Sequence, residues 1–301
     1  MRAVTLASER VALADQPACG DAKLAQDVVT FIPARFASSR FPGKPLVPLA
    51  GVTGECRSLI RRTWDCAREA TGKGDLWVAT DDARIARETR RFGGACVLTS
   101  SRCANGTERC AEAAAAVGSQ AEFVVNFQGD APLMPPWFAS RLVTILRADP
   151  QAAAATVAVR ASPQVLARML GDAQHGISGA TSLVTDRDGR ALYFSRHVLP
   201  FGATMQVQQS SAQQSSEQEA AAQVMIHLGL YAYRRSALEA YRAAGPCPTE
   251  LAEGLEQLRF LDLGLTMRVL TIDTLDWDPV ELNNPGDERR IEQILRERSI
   301  A

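Results

Sequence analysis

The sequence predicts an α/β fold in which a mixed, mostly parallel sheet is flanked by helices. Three short runs rich in β-branched and aromatic residues, Val28–Ile32, Leu76–Thr80 and Phe123–Phe127, are typical of buried strands. Between them, Ser58–Ala70 and the segment 82–91 carry apolar residues at helical spacing. Strands that alternate with helices favour parallel pairing, because each helix returns the chain to the same edge of the sheet.

The remaining elements follow in order along the chain. Asp81 or Asp82 is suited to cap the helix that ends near Arg91, and the glycine pair at 93–94 stops that helix. Further strands are predicted at Ala95–Leu98, Ala153–Val159, Ser182–Val184, Val224–Tyr233 and Met267–Thr271. Further helices are predicted at Thr107–Val117, Ser236–Ala243, Leu251–Leu261 and Gly286–Arg298.

Composition excludes several classes of protein. The 301 residues have a formal net charge of -1, so there is no basic excess that would indicate nucleic acid as a partner. Seven scattered cysteines and three histidines disfavour a zinc cluster. No apolar run is long enough to span a membrane, and charged residues interrupt the first segment where a secretory signal would be apolar. We therefore expect a cytoplasmic protein with no membrane partner.

The chain is predicted to form one domain over residues 27–301. Residues 1–26 show no sustained periodicity and are expected to be a disordered N-terminal extension. The stretch 205–223 is rich in Gln, Ser and Ala and is expected to be an exposed, low-complexity loop.

A cationic loop follows the first predicted strand. Between Pro33 and Pro45 it carries three basic and two hydroxyl side chains, which are Arg35, Ser38, Ser39, Arg40 and Lys44. A triphosphate needs cations to neutralise it and backbone N–H groups that point at its oxygens. The loop is not a Walker loop, because Lys44 is followed by Pro45. It predicts phosphate binding, with a basic surface loop as the alternative.

An acidic residue, Asp130, follows the strand Phe123–Phe127 after Gln128 and Gly129. Such a residue is commonly a turn or helix cap. Here the carboxyl ends of parallel strands should bring it opposite the cationic loop. A carboxylate beside phosphates repels them unless a metal lies between, and Mg²⁺ accepts one or two carboxylates together with phosphate oxygens. Asp130 is therefore a candidate Mg²⁺ ligand.

In these motifs the chain resembles the CMP-Kdo synthetases, cytidylyltransferases that act on the sugar acid 3-deoxy-manno-octulosonate (Kdo). The matching stretches run in order from about residue 28 to 296 and cover nearly the whole chain. They read IPARFASSRFPGKPL from Ile32, WVATDD from Trp77, NGTER from Asn105, VNFQGDAPLMP from Val125, ALYFSR from Ala191, HLGLYAYRR from His227 and LEQLR from Leu255. The first loop is shared by related nucleotidyltransferases, whereas the last three stretches are more specific.

The resemblance implies a single nucleotidyltransferase domain, similar to the nucleotide-diphospho-sugar transferases, that forms a homodimer. It implies Mg²⁺ as the cofactor, with CTP and a small anionic acceptor as the partners. The catalytic residues would be Arg35, Lys44 and Asp130. The CTP-binding residues would be Ala34, Arg35, Ser38, Ser39, Arg40, Lys44, Thr107 and Gln128. The acceptor would be bound by Arg196, His227, Tyr231, Glu256 and Gln257, and the metal by Asp130 and Asn283.

The chain departs from the family pattern at three places. Asn283 stands where the family has a second acidic metal ligand, and Asp278 or Asp287 could compensate for it. Thr99–Thr107 replaces several polar residues of the family, and Ser182 replaces a lysine. These departures leave other acceptors open, namely an amino-substituted Kdo or a phosphonic acid such as phosphonoformate. A non-catalytic nucleotide-binding protein is a third alternative.

Overall fold

The computed structural model describes residues 10–11, 27–37, 41–72, 74–175, 180–203, 214–273, 275, 277 and 280–301. The strands of these ranges are β1 (Arg10–Val11), β2 (Val28–Ala34), β3 (Pro48–Ala50), β4 (Cys56–Ser58), β5 (Asp75–Thr80), β6 (Cys96–Leu98), β7 (Phe123–Phe127), β8 (Ala154–Arg160), β9 (Ser182–Thr185), β10 (Ala191–Ser195), β11 (Met225–Arg234) and β12 (Met267–Ile272).

The helices are named in the same way. They are α1 (Leu59–Thr71), α2 (Ala83–Arg91), α3 (Gly106–Ala116), α4 (Trp137–Ala148), α5 (Pro163–Gln174), α6 (Gln214–Gln223), α7 (Arg235–Ala244), α8 (Pro248–Glu253), α9 (Leu258–Asp262) and α10 (Asp287–Glu297). Lys44–Leu46 forms a short 3-10 helix.

Backbone contacts group the chain into two compact units. Unit 1 comprises Met1–Gln16, Ile145–Leu228 and Ala244–Asp276, and unit 2 comprises Pro17–Thr144, Gly229–Ala243 and Trp277–Ala301. The residues of β11 fall in both units, so each unit is described with its own part of that strand.

In unit 2, β7, β2, β5 and β6 pair side by side in that order, and all these pairings are parallel. The last five residues of β11 pair with β7 in the antiparallel direction. Every residue of β7 is buried, and α1 and α3 both pack against β2. Because β2 and β7 are parallel neighbours, their carboxyl ends lie at the same edge of the sheet, and the two loops of interest begin there.

In unit 1, β12 pairs in parallel with β8, and β9 pairs antiparallel with β10 and with Met225–Ile226 of β11. Arg10 and Val11 form β1, which pairs in parallel with Thr271 and Ile272 of β12. The rest of the predicted N-terminal extension lies outside the described residues. Parallel pairings predominate in the two units, so the predicted α/β class with a mixed, mostly parallel sheet is confirmed.

Two predicted elements are wrong. The predicted loop at 205–223 contains helix α6, while residues 205–213 lie outside the described residues. Ala220 and Ala221 of α6 are buried against Leu166 and Met169, because alanine combines high helix propensity with a side chain small enough for close packing.

The single helix predicted at Leu251–Leu261 is instead two short helices, α8 and α9. Gly254 ends α8 in the left-handed conformation, with φ of 63°. Glycine adopts this conformation without a steric penalty and is the usual residue at a helix end of this kind.

Candidate active site

The cationic loop leaves β2 at Ala34, which is buried, and continues through Arg35, which is exposed. It closes where the N–H of Gly43 donates to the carbonyl of Phe36 at 2.9 Å. Gly43 has φ of 76°, a conformation that favours glycine, and a Cβ there would lie in tight contact, 3.1 Å from the Phe36 ring. Ser38, Ser39 and Arg40, predicted to bind phosphate, lie outside the described residues.

Lys44 and Asp130 meet at the edge of the sheet where β2 and β7 end. The Lys44 Nζ lies 2.6 Å from the Asp130 Oδ2, and both side chains are largely shielded from solvent. The preceding residue, Gly129, allows the two loops to come close, because a Cβ there would lie 2.8 Å from the carbonyl oxygen of Pro33. The cationic loop and the loop that carries Asp130 therefore meet in the structure, as the sequence predicted.

A second carboxylate, that of Glu281, belongs to the same cluster. Burial and the negative charge of Asp130 raise the pKa of Glu281 to about 7, while the positive charge of Lys44 acts in the opposite direction. The N–H of Leu282, the next residue, donates to the carbonyl of Asp130 at 3.1 Å. This hydrogen bond holds the backbone around Glu281 beside the loop that follows β7. Sequence reasoning did not select Glu281, although it lies two residues before Asn283 in a segment already singled out.

Asn283, predicted as a metal ligand, contacts Glu281. Its Nδ2 donates to the Glu281 Oε2 at 3.3 Å. Its backbone N–H donates to the Asp287 Oδ2 at 2.9 Å, and the N–H of Asn284 donates to the same oxygen at 2.7 Å. Asp287 therefore caps the turn that leads into α10.

Gln128, predicted to bind CTP, is also part of the cluster. Its backbone N–H donates to the carbonyl of Gly229 at 3.3 Å. Its side chain lies directly over Gly229, where a Cβ would be 2.8 Å from the Gln128 Cδ and 3.2 Å from the Glu281 Oε1. Glycine at position 229 therefore gives both polar side chains their space.

Thr107, the remaining predicted CTP-binding residue, is fully buried at the start of α3. Its hydroxyl is 2.9 Å from the hydroxyl of Tyr233, and the helix is capped by Asn105, whose side chain accepts from the N–H of Glu108. The ring of Tyr233 stacks on Tyr231, which is 1% exposed. Contacts of Thr107 and Tyr231 with substrate stay predictions, and the structure gives both residues a place in the interior of unit 2.

The segment Thr99–Thr107, which departs from the family pattern, is held by side chains of α3. The Arg109 guanidinium donates to the Thr99 hydroxyl at 2.6 Å and lies 3.6 Å from the Asp81 carboxylate. Glu112 accepts from the N–H of Ser100 at 2.5 Å. The segment is thus tied to the helix that follows it.

Arg196, in unit 1, is anchored by the end of α8. Its Nε donates to the carbonyl of Glu253 at 2.5 Å, and its terminal Nη2 donates to the carbonyl of Gly254 at 3.0 Å. The Glu253 carboxylate accepts from the N–H of Arg196 and the hydroxyl of Ser195, both at 3.0 Å, and from the Tyr193 hydroxyl at 3.3 Å. Arg196 remains exposed, so its guanidinium is oriented and accessible.

His227, also in unit 1, lies among uncharged groups. Its Nε2 is 3.0 Å from the Thr156 hydroxyl, and its ring packs edge-on against Phe194 with 5.4 Å between centroids. Burial lowers the pKa of His227 to about 3. The imidazole is therefore neutral near pH 7 and can exchange hydrogen bonds without carrying charge.

Glu256 and Gln257 follow the turn at Gly254 and precede α9. Gln257 is 3% exposed and Glu256 is half-buried. The turn is fixed by a buried ion pair, in which the Arg259 Nε lies 2.6 Å from a carboxylate oxygen of Glu250. Unit 1 therefore holds four of the five predicted acceptor-binding residues, and unit 2 holds Tyr231 with the predicted catalytic residues.

Comparison with known proteins defines the class. The family model described as cytidylyltransferase matches residues 29–267, so the chain belongs to the cytidylyltransferase family. Helices able to span a bilayer, judged by length and apolar character, are not found in the part of the chain that the structure describes.

Within the cytidylyltransferase family, the similar proteins are 3-deoxy-manno-octulosonate cytidylyltransferases. The 3-deoxy-manno-octulosonate cytidylyltransferase of Maricaulis maris is 39% identical over 268 residues, which cover 89% of this chain and 96% of that protein. The mitochondrial 3-deoxy-manno-octulosonate cytidylyltransferase of Arabidopsis thaliana is 35% identical over 280 residues, 93% of this chain and 87% of that protein. The resemblance inferred from the sequence motifs is thereby confirmed.

Solved structures of cytidylyltransferases resemble this chain in fold. A CMP:2-keto-3-deoxy-manno-octonic acid synthetase complexed with CTP matches with a TM-score of 0.71 and 28% identity, covering 90% of this chain and 99% of that one. A cytidylyltransferase from Leptospira borgpetersenii matches with a TM-score of 0.51 at 13% identity, covering 89% of this chain and 86% of that one, which is a likeness of fold alone. The single α/β nucleotidyltransferase domain predicted from the sequence is therefore confirmed.

Proposed function

We propose that this enzyme transfers CMP from CTP to 3-deoxy-manno-octulosonate and releases pyrophosphate. The observation that carries the proposal is the contact between Lys44 and Asp130 at the carboxyl ends of β2 and β7, in a chain of the cytidylyltransferase family. The acceptor is proposed because the relatives from Maricaulis maris and Arabidopsis thaliana carry that sugar acid in their names.

The triphosphate is proposed to bind the cationic loop. Arg35 is exposed at its start, and Lys44 stands at its end beside Asp130. Both charges would offset the negative charge that grows on the leaving pyrophosphate, and such a cationic contact contributes about 3 kcal/mol to lowering a barrier. Ser38, Ser39 and Arg40 are proposed to complete the loop.

The donor set beside Lys44 fits Mg²⁺. Asp130 and Glu281 offer carboxylate oxygens, which are the ligands that this ion prefers in combination with phosphate oxygens and water. Among the residues that the structure describes, no group of three or more His, Cys, Asp or Glu side chains is built to hold a metal, so the phosphates of CTP would complete the coordination. When bound, Mg²⁺ would neutralise phosphate charge and align the triphosphate.

The transfer is an in-line substitution. An acceptor hydroxyl oxygen bonds to the α-phosphorus of CTP, the bond from that phosphorus to the bridging oxygen breaks, and pyrophosphate leaves with the electron pair. The proton of the hydroxyl passes to solvent. Lys44 and Arg35 hold the triphosphate so that its α-phosphorus faces the acceptor, which is how most phosphoryl-type transfers are accelerated.

The acceptor is proposed to contact Arg196, His227, Tyr231, Glu256 and Gln257. The oriented guanidinium of Arg196 suits a carboxylate, since it can donate to two oxygens at once. His227 is neutral near pH 7 and, with Gln257 and Glu256, suits sugar hydroxyls.

A phosphonic acid such as phosphonoformate is the second candidate acceptor. The observation in its favour is that Asn283 and the segment Thr99–Thr107 differ from the pattern of the Kdo enzymes, while Lys44 and Asp130 are kept. An amino-substituted Kdo would be compatible with the same residues, and a protein that binds CTP without turning it over is the non-catalytic alternative.

The deciding test is pyrophosphate release from CTP and Mg²⁺ with Kdo and phosphonoformate offered separately. Release with Kdo alone is the expected result. Release with phosphonoformate alone would keep the chemistry and change the acceptor, and CTP binding without release with either compound would contradict the proposal. The enzyme is further proposed to work in the cytoplasm, where CTP is made, and as a homodimer, which sedimentation of the purified protein tests.

A further inference from the structure

Glu281 belongs to the charged cluster of Lys44 and Asp130, and the resemblance to the CMP-Kdo synthetases assigns it no role. Its segment closes against the end of β7 through the hydrogen bond from Leu282 N–H to the Asp130 carbonyl. Its carboxylate also receives the N–H of Gly229, and it interacts electrostatically with both Asp130 and Lys44. Glu281 therefore lies at the same edge of the sheet as Asp130, although the two residues are 151 positions apart in the sequence.

The charges of this cluster favour a cation. Two carboxylates, those of Asp130 and Glu281, face one ammonium, that of Lys44. When both carboxylates are ionised, the cluster carries one net negative charge. Burying this charge beside a triphosphate is costly unless a cation with more than one positive charge joins it.

Among the described residues of this segment, Asp287 is engaged elsewhere. The Asp287 Oδ2 accepts from the N–H groups of Asn283 and Asn284 and so serves the turn before α10. Asp278 lies outside the described residues. Asn283 turns its Nδ2 toward the Glu281 Oε2, which makes it a hydrogen-bond donor to the carboxylate.

We propose that Glu281 supplies the second carboxylate of the Mg²⁺ site, in place of the acid that Asn283 has replaced, and that Asn283 positions it. This inference rests on the proposed function, since it takes the metal from the proposed reaction. The longer side chain of Glu281 starts two residues earlier, next to Leu282, whose N–H donates to the Asp130 carbonyl at 3.1 Å. Gly229 leaves room for this side chain, because a Cβ there would lie 3.2 Å from the Glu281 Oε1.

The inference is tested by metal binding, independently of turnover. Mn²⁺ titrations of the full chain with CTP present, followed by electron paramagnetic resonance, give the dissociation constant of the divalent ion. Glu281→Gln keeps the shape of the side chain and removes its charge, and it is expected to weaken Mn²⁺ binding at least tenfold. Glu122→Gln, a carboxylate exposed on unit 2 and paired with Arg234, is the matched control and is expected to bind Mn²⁺ as the unchanged protein does.

A rescue variant separates a ligand from a structural role. Glu281→Gln combined with Asn283→Asp restores an acid at the family position and is expected to recover most of the lost affinity for Mn²⁺. Unchanged Mn²⁺ affinity in Glu281→Gln would overturn the inference, and so would weaker binding that the second substitution leaves unrestored. Tight Mn²⁺ binding that depends on Glu281, in a protein that releases no pyrophosphate, would overturn the proposed reaction and leave this inference standing.

Discussion

The ammonium of Lys44 and the carboxylate of Asp130 are 2.6 Å apart although 86 residues separate them in the sequence. The contact joins the loop after β2 to the loop after β7, the two neighbouring strand ends of unit 2. The proposed triphosphate site requires a cation and a metal-binding acid close together, and Lys44 and Asp130 are the residues proposed for these two roles.

Asp130→Asn is therefore expected to remove most of the catalysis. The amide keeps the size of the side chain but loses the charge that pairs with Lys44 and that is proposed to bind Mg²⁺. We expect kcat for pyrophosphate release to fall about 10²- to 10³-fold, the usual effect of losing one group that stabilises transition-state charge. The measurement is steady-state pyrophosphate release at saturating CTP.

Asp65→Asn is the matched control for this experiment. Asp65, a partly exposed residue of α1, also pairs with a cation, with 2.9 Å between its carboxylate and the Arg61 Nε. Its loss is expected to leave kcat within about twofold, since exposed ion pairs contribute little. A threefold or smaller effect of Asp130→Asn would contradict the assigned role of that residue.

A second prediction concerns Glu253, which positions Arg196. Its carboxylate accepts from the backbone N–H of Arg196 and from the hydroxyls of Ser195 and Tyr193. Glu253→Ala removes these hydrogen bonds, each of which stabilises by ~1 kcal/mol, so we expect KM for the acceptor to rise about tenfold. KM for CTP is expected to stay unchanged, and steady-state kinetics with each substrate varied in turn measure both.

Glu239→Ala, at an exposed position of α7, is the control and should change neither constant. Arg196→Lys should raise KM for the acceptor further than Glu253→Ala, because an ammonium cannot donate to two carboxylate oxygens in the same plane. An equal rise of both KM values in Glu253→Ala would indicate general damage to the fold instead of a positioning role.

The sequence predicted those parts of the site that are encoded locally. The apolar strand β2 and the cations after it lie within a few residues of each other, and so do β7 and Asp130. Parallel pairing of the two strands then implies that the loops meet, and the structure has this arrangement. The Asp82 cap of α2 was predictable for the same reason, since its side chain accepts from the N–H of Arg84 only two residues away.

The features that escaped prediction depend on contacts distant in the sequence or on single glycines. Glu281 has no local signal, because it meets Asp130 only after the last segment of the chain has closed on unit 2. The conformation of Gly254, which divides one predicted helix into two, could have been suspected from the residue type alone. Helix α6 was masked by a composition rich in Gln and Ser, and its burial depends on the surface that α5 offers to two alanines.

A third prediction compares two glycines. A Cβ at position 229 would lie 2.8 Å from the Gln128 Cδ and 3.2 Å from the Glu281 Oε1, so Gly229→Ala should displace both side chains. We expect a loss of ~1–3 kcal/mol in the free energy of unfolding, as for other overpacked sites, together with a fall in kcat. Urea denaturation and pyrophosphate release measure the two effects.

Gly171→Ala provides the contrast in the same experiments. Gly171 lies inside α5, and a Cβ there meets no atom within 4 Å. Alanine should raise the free energy of unfolding by ~0.5–1 kcal/mol through higher helix propensity, with kcat unchanged. If both substitutions had the same effect on stability and kcat, the space that Gly229 leaves for the Gln128 and Glu281 side chains would not matter for either quantity.

The last prediction concerns pH and His227. Burial lowers the pKa of His227 to about 3 in the folded chain, whereas the unfolded chain has the ordinary value of 6.5. As pH falls below 6.5, the unfolded chain takes up a proton that the folded chain does not, so this residue lowers stability progressively between pH 6.5 and about 3. At pH 5 the loss is ~1–2 kcal/mol. His227→Gln should remove it, which urea denaturation at pH 8 and pH 5 measures as a smaller difference between the two conditions.

Thr156→Val separates this effect from the loss of a hydrogen bond. It removes the hydroxyl that lies 3.0 Å from the His227 Nε2 and leaves the imidazole buried. Its destabilisation should therefore be similar at pH 8 and pH 5, unlike that of His227→Gln. The imidazole resonances of His227 in the unchanged protein give a direct check, since they should keep their neutral-state shifts down to pH 5. A titration midpoint near 6.5 would show that the ring is open to water and would contradict this prediction.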